Sequence, residues 1–403
     1  MRAIVVGGGI AGPVTALALQ RVGIDALVLE RGADTRPEAG SWFTIAPNGL
    51  AALAEVDALD AIRPVAVPTR HNVMVGATGR ELGVLAIGSP LADGTPALSV
   101  KRSLAAHLLA AEAKRRGIEV RRGAAVASVA TTGRAATVQL ADGEQLTADL
   151  VVGADGIRSV VRAAVDPGAP APRYVGLVNF GGITRGTSIA ERLRPEAWHF
   201  VFGRRAFFGA LPTPAGDVVW FANVRRPAVG RAERDATDAA QWQARLVELA
   251  RLDDGPLAEL IAAGELELAA DNTHDLPHVP RWHRGRLVLV GDALHAPSPS
   301  SGQGAALAAE DAIVLARCLR DAGEPGAAFA AFEAERRRRV ERIVRDGARS
   351  SSSKNPGRVG RVVQEAIMRL VFRHAVTERA QAAVFDHRVR LGAAGVSRGA
   401  GGA

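Results

Sequence analysis

AIVVGGGIAGPVTALALQRVGIDALVLE, residues 3 to 30, reads as one continuous unit. Ala3 to Val6 is a short apolar run with β-branched residues, the texture of a buried strand. GGGIAG follows. Then PVTALALQRVG predicts a helix, with Pro13 in its first turn and Gly23 near its end. Ala26 to Glu30 is a second buried strand. Strand, glycine turn, helix and strand in this order make a βαβ opening. The expected fold class is therefore α/β, with a Rossmann-like nucleotide domain.

The turn holds the pattern G-x-G-x-x-G as Gly7, Gly9 and Gly12, around Ile10 and Ala11. Gly7 permits the tight turn, Gly9 lets backbone approach a pyrophosphate, and Gly12 lets the helix pack close to the strand. The helix N-terminus then offers free N–H groups and a positive dipole end to phosphate. Glu30, followed by Arg31, ends the second strand, where a carboxylate can bind ribose hydroxyls. The pattern by itself does not separate FAD from NAD, and a glycine turn without a ligand would look similar.

Outward from this unit, residues 100 to 116 read as an amphipathic helix ended by Gly117. Two alternating strands follow, joined at Asp142-Gly143, a hairpin signal. From about Pro172 to Asp271 the texture changes to antiparallel strands, with a helical stretch near Asp238 to Ala250. GRLVLVGDA, Gly285 to Ala293, returns to the buried-strand texture, and a long helix starts near Gly304. The expected organisation is a discontinuous nucleotide domain, 1–70, 98–170 and 275–345. A mostly antiparallel substrate-binding domain, 71–97 and 171–274, is inserted into it. RSSSSKNPGR is read as a helix break within a C-terminal helical segment, 346–392, that continues to about Leu391. The tail 393–403 is read as disordered.

The chain has 403 residues, 48% hydrophobic, which is enough for two sizeable cores. One cysteine, Cys318, excludes an internal disulfide framework and a cysteine-based zinc cluster, and suits a reducing cytoplasm. No metal is expected. No apolar run of membrane-spanning length and no signal-peptide pattern appears. The net charge of +8 is spread along the chain apart from ERRRRVERIVR, Glu335 to Arg345, read as a solvated or partly packed helix. No nucleic-acid-binding motif accompanies it.

Two further motifs decide the cofactor. LVVGADGIRSVVR, Leu150 to Arg162, leads from an apolar strand into Asp155-Gly156 and then Arg158 and Arg162. GDALHAPSPSSGQG, Gly291 to Gly304, places Asp292 just past a buried strand and ends at another helix start. With the glycine turn, these resemble the GxGxxG, DG and GD motifs of FAD-dependent aromatic-hydroxylase-type monooxygenases, the p-hydroxybenzoate hydroxylase-like and salicylate hydroxylase-like class A flavoproteins. PNGLAAL, Pro47 to Leu53, and FDHRVRL, Phe385 to Leu391, also resemble family patterns.

The resemblance implies bound FAD and NAD(P)H as co-substrate. It implies O2-dependent hydroxylation of an aromatic or polycyclic small molecule through a flavin C4a-hydroperoxide. It implies that Asp292 contacts the ribityl and pyrophosphate region, and that backbone from Gly302 through Gln303 and Gly304 to Ala305 lies near the flavin. Pro299 would lie close to the ring, Arg102 would reach the flavin side, Val126 would touch adenine through its backbone, and Asp155 would serve both FAD and NAD(P)H. Many relatives carry an asparagine after GQG-Ala; here Ala305-Ala306 stands instead, so that side-chain contact is absent. The partner is a small molecule and O2, with no nucleic acid or membrane, for a cytoplasmic monomer or homodimer. The Ala-, Arg- and Gly-rich composition fits a tailoring role in bacterial secondary metabolism.

No acid–base dyad stands out, as fits a cofactor that carries the hard chemistry. Candidate pocket residues are Asn179, Phe180, His199, Phe208 and Trp220, on the inserted strands, where ordinary sheet packing is the alternative reading. His199, Trp220 and Arg204 are the catalytic candidates. His199 could deprotonate a phenol, and Arg204 with Arg205 could meet an acidic substrate group. His295 and the serines Ser298, Ser300 and Ser301 lack a nucleophile elbow, so a hydrolase is disfavoured. Epoxidation, Baeyer–Villiger oxygenation and a non-catalytic FAD-binding role stay open. A halogenase is disfavoured because no two tryptophans are separated by one residue, and a nicotinamide-only dehydrogenase does not account for the DG and GD motifs.

Overall fold

A computed structural model describes residues 1–392 apart from 35, 36, 38, 39 and 353–377. The tail 393–403 and the second half of the expected break at RSSSSKNPGR lie outside the described residues.

The first strand, Arg2–Val6, lies inside a six-stranded sheet. Its neighbours are Asp25–Glu30 on one side and Leu150–Gly153 on the other, both parallel. Glu119–Arg122 extends one edge and Leu287–Leu289 the other, again in parallel. Apart from Glu119–Arg122, these strands are largely Val, Ile, Leu and Ala, because helices and a three-stranded antiparallel sheet, Val126–Thr132, Ala135–Leu140 and Gln145–Ala148, pack over them. Helix Ala11–Arg21 is buried along most of its length and packs against helix Gly304–Ala322. Sequence segments hundreds of residues apart thus build one sheet.

The second sheet has seven strands in the order Glu265–Asp275, Arg173–Thr184, Val218–Arg225, Ala206–Pro212, Ala197–Phe202, His71–Gly76 and Glu81–Ala86. Every pairing is antiparallel except that of Ala197–Phe202 with His71–Gly76. Its two faces are chemically distinct, as the period of two requires. One face, with Val178, Phe180, Phe208, Trp220 and Ala222, packs beneath helices Ala239–Ala250 and Leu257–Ala262. The first of these helices opens with a capping box between Asp238 and Gln241. The other, inner face carries Trp198, Leu211 and Val219, with Phe200 and Phe221, against Val67 and Trp42 of a small three-stranded sheet.

The expected helix around residues 100 to 116 runs from Arg102–Arg115, preceded by a strand, Leu98–Lys101. Helix Pro325–Ser352 continues into the serines expected to break it. The last helix among the described residues is Glu378–Phe385, six residues short of Leu391, and residues 386–392 are irregular. There Asp386 accepts hydrogen bonds from the Ser89 N–H and hydroxyl, at 2.7 and 2.8 Å, and Glu55 accepts from the Leu391 N–H at 2.8 Å. Side-chain anchoring replaces the helix there. No helix among the described residues is long and apolar enough to cross a membrane.

Candidate active site

The three loop motifs meet at the carboxyl ends of the parallel strands Arg2–Val6, Leu150–Gly153 and Leu287–Leu289. Gly7 takes a φ of 110°, and a Cβ there would collide with the Ala154 carbonyl of the DG motif. A Cβ on Gly12 would drive into the Gly7 carbonyl oxygen, so helix and turn touch backbone to backbone. A Cβ on Gly291 would come within 2.9 Å of the Ala11 Cβ, which brings the GD motif onto the same helix start. Arg162, buried, donates to the Ala293 carbonyl at 3.0 Å and ties the DG helix to the GD loop. Burial lowers the Arg162 pKa, against the pull of Asp155.

Around this junction backbone is left open. Gly9 is exposed and a Cβ on it would meet nothing within 4 Å. Ile10 caps helix Ala11–Arg21 with no side-chain acceptor, and no acidic residue stands in its first turn. Helix Gly304–Ala322 likewise starts without a side-chain cap. Gly302 is exposed, left-handed at φ 60°, with open space where its side chain would be. Two uncapped helix starts behind exposed glycines form a cradle for an anionic, flat ligand. These are the residues that could hold the phosphates and ring of FAD.

The remaining expected cofactor residues divide into outward-facing and inward-turned groups. Arg102 is exposed and reaches Asp292 at 3.4 Å. Pro299 is exposed, Gly304 and Ala305 are half-buried, and Arg31 points to solvent. Val126 is half-buried at the start of strand Val126–Thr132. Glu30 accepts from the Gly8 and Gly32 N–H groups, both at 2.7 Å, so its carboxylate braces the turn while lying beside it. Asp155 accepts from the Val160 and Val161 N–H groups at 2.7 and 3.2 Å, and burial pushes its carboxyl up. Its carboxylate thus caps the start of its own helix.

Gln303 is fully buried, and its side chain accepts from Asn48 at 2.8 Å. Asn48 also donates to Glu310 at 2.7 Å. Helix Pro47–Ala54 can come this close because Gly49 sits over Ala306: a Cβ on Gly49 would lie 2.8 Å from the Ala306 Cα. The small residue after Ala305 is therefore a packing requirement in this chain.

Behind the GD loop lies a charged cluster that the sequence reading missed. Glu310 and Asp311 are fully buried. Arg336 donates to Asp311 at 2.9 Å and to Glu310 at 2.6 Å; Arg339 donates twice to Glu310 at 2.9 Å. His295 pairs with Asp311 at 2.6 Å. Burial presses both carboxyls upward, but the arginine charges and hydrogen bonds, with His295 on Asp311, outweigh it and hold both below the usual range. The run Glu335 to Arg345 is the partly packed helix of the two alternatives: Arg336, Arg339, Val340, Ile343 and Val344 face the core, while Arg338, Arg342 and Arg345 stay exposed. His295 is committed to Asp311 and not to a serine, which removes the hydrolase arrangement.

The catalytic candidates fall away from the loops. Trp220 is buried under the helices and donates to Thr184 at 3.1 Å; Phe180 and Phe208 share that core. His199 is in register with Ala210 and so shares that same outward face; it meets the Arg194 carbonyl at 3.3 Å, and burial lowers its pKa. The Arg204 N–H donates to Asp253 at 2.8 Å in the turn between strands Ala197–Phe202 and Ala206–Pro212, beside exposed Arg205. Strand alternation turned these residues outward. Asn179, one position from Phe180, faces inward and accepts from Asn223 at 3.4 Å.

A family described as FAD binding domain matches residues 1–347. The chain is 31% identical over 357 residues to a FAD-dependent urate hydroxylase of Klebsiella pneumoniae, spanning 85% of this chain and 88% of that protein. It is 30% identical over 347 residues to an aurachin C monooxygenase/isomerase of Stigmatella aurantiaca, spanning 85% and 86%. A crystal structure of Klebsiella pneumoniae HpxO complexed with FAD and uric acid superposes with a TM-score of 0.81 at 27% identity, covering 96% of each chain.

Proposed function

The chain belongs to the FAD binding domain family, among the FAD-dependent aromatic hydroxylases and monooxygenases, and from that premise we propose that it oxygenates an aromatic or polycyclic small molecule between the glycine loops and the inner face of the large sheet. The observation that carries this reading is the convergence of Gly7–Gly12, Ala154–Arg162 and Gly291–Gly304 at the carboxyl ends of the parallel strands, with uncapped helix starts facing outward.

FAD, when bound, supplies the redox chemistry that couples NAD(P)H and O2 to oxygen transfer. The protein's own part is to bind and orient. The first helix start and the open backbone at Gly9 and Ile10 receive pyrophosphate, with Ala11 and Gly12 shaping the approach. Glu30 takes ribose hydroxyls, beside Arg31. Val126 borders the adenine. Asp292 and Arg102 flank the ribityl chain, and Pro299 with backbone from Gly302 to Ala305 borders the ring. Asp155 orders the DG turn. Placing the substrate against the aromatic part of that face limits water at the reacting atoms. Aromatic residues of that face, Phe200 and Phe221, offer a flat ligand a stacking surface. We assign the large sheet to substrate binding and the parallel sheet to FAD. Buried Cys318 fits a reducing cytoplasm, and one protomer or a homodimer serves equally.

The test is the absorbance spectrum of the purified protein, followed by anaerobic NADPH or NADH with a panel of phenols and polycyclic aromatics. Flavin bands that bleach faster with one aromatic are the expected result. A colourless protein that takes up no added FAD overturns the reading.

A further inference from the structure

Three polar side chains stand in one register row across the inner face of the large sheet. Asp271 pairs with Asn179, and Asn179 with Asn223. Their neighbours along the strands point the other way. Val178 and Phe180 lie in the outward core, Ala270 is fully buried there, and Asn272 bonds Val229 on that side. The row therefore faces inward.

The strand is distorted to make this so. The pairing slips between Asn179 and Gly181, and Ala270 adopts a φ of 52°, a left-handed conformation that a residue with a Cβ rarely takes. Such bulges re-aim side chains, and such strained positions gather at functional sites. Asp271 lies near Arg102 and Arg158 of the motif region and near His274 and Arg234 of the large-sheet region. Burial raises its carboxyl, while the charges of Arg102, His274, Arg234 and Arg158 pull the other way. Arg158 belongs to the DG motif, and Arg102 reaches Asp292 of the GD motif. Asp271 is nonetheless exposed.

The hydrogen-bonding capacity of the row is largely unused. Among the described residues Asp271 takes part in no hydrogen bond or ion pair, and the two asparagines share a single 3.4 Å contact. The next position along the row is Phe207, in register with Asn223. The face thus changes from acceptor-rich to aromatic within one molecule's width.

We propose that Asp271, with Asn179 and Asn223, determines substrate specificity by accepting hydrogen bonds from a planar ring system that carries N–H or O–H donors along one edge and lays its apolar body toward Phe207. A ring bearing a free carboxylate at that edge is rejected, because two anions would face each other. The proposal rests on the site location given under the proposed function.

Three naphthalenes of one shape separate the chemistry: 2,3-dihydroxynaphthalene, 2,3-dimethoxynaphthalene and 3-hydroxy-2-naphthoate. Their affinities are measured by calorimetry, which does not depend on the flavin, with the protein's spectrum recorded in parallel. The diol is expected to bind at least about tenfold tighter than the other two, the scale of one hydrogen bond to a charged group. Asp271→Asn removes most of that preference by weakening the diol, leaves the dimethoxy compound unchanged and improves the naphthoate. Asn179→Leu weakens the diol without helping the naphthoate. Equal binding of all three by the wild type, no binding of the diol, or an equal shift of all three in Asp271→Asn overturns the inference. A flavin-bearing protein with no such preference overturns this inference alone. The preference in a protein that takes up no FAD overturns the cofactor reading alone.

Discussion

The ground behind the GD loop and the inner face of the large sheet border the same candidate site, and they treat polar side chains in opposite ways. Behind the loop, Glu310, Asp311, Arg336, Arg339 and His295 bond one another inside the core. On the sheet, among the described residues, Asp271 has no hydrogen bond, and Asn179 and Asn223 share a single 3.4 Å contact. Buried ionic groups tolerate no loss of a partner, since an uncompensated charge in low dielectric is costly. Open polar groups stay hydrated until a ligand arrives. The first arrangement fixes a framework; the second leaves recognition adjustable. A site that must hold one cofactor while accommodating one particular substrate needs both.

The largest expected effect comes from breaking the framework. Arg336→Met leaves Glu310 and Asp311 short of a cation and should cost about 3–5 kcal/mol, read in a denaturant melt. Asp271→Ala should stay within about 0.5 kcal/mol of wild type. Equal losses in the two variants would erase the contrast.

A second comparison uses neighbours on opposite faces of one strand. Trp220→Leu opens a cavity beneath the helices and should lower stability by about 2–3 kcal/mol, with ligand affinities little changed. Phe221→Leu should cost about 1 kcal/mol and weaken flat ligands instead. Melting curves and calorimetry on both variants decide the matter; a reversed pattern would mean the faces are wrongly assigned.

Acid separates the regions by sign. Glu310 and Asp311 are held below their ordinary pKa values, so their contribution is full above the unfolded carboxyl range and is lost as pH falls through the folded values. Stability should therefore decline as the medium is taken below about pH 4. Asp271 is shifted upward, so its ionised form is the disfavoured one in the fold. Asp271→Asn should raise the melting temperature slightly at neutral pH and not at acid pH. A variant that lowered it at neutral pH would contradict that sign.

A small effect on stability is also expected at Arg102, whose pair with Asp292 is partly solvent-exposed. Arg102→Ala should change stability by less than about 1 kcal/mol. Its consequence should appear in FAD retention, measured by the flavin-to-protein absorbance ratio. Full retention would remove Arg102 from the cofactor site.

The glycine turn was legible from the sequence because its constraints are local. Gly7 and Gly12 touch each other five residues apart, and any chain with that spacing between a strand and a helix faces the same collision. The strand Leu287–Leu289 and the helix after Gly304 announced themselves by apolar texture. The charged cluster did not. Its only traces were adjacent acids, Glu310 and Asp311, inside an otherwise apolar helix, and arginines three apart in a run whose uniform charge hid the inward-facing positions.

The inward row was hidden for a different reason. Alternation along a strand says that Asn179 and Phe180 point apart, yet not which of them meets the core helices. Asp271 acquires meaning only because a bulge at Ala270 sets its register against a strand more than ninety residues earlier in the chain. Local backbone geometry, and with it the α/β fold and the glycine turn, was therefore determined by the sequence alone. Which face of the large sheet looks toward those loops, and which charges are buried behind them, was decided only in the tertiary structure. Facing and burial depend on what packs from elsewhere in the chain, and a period of two carries no record of it.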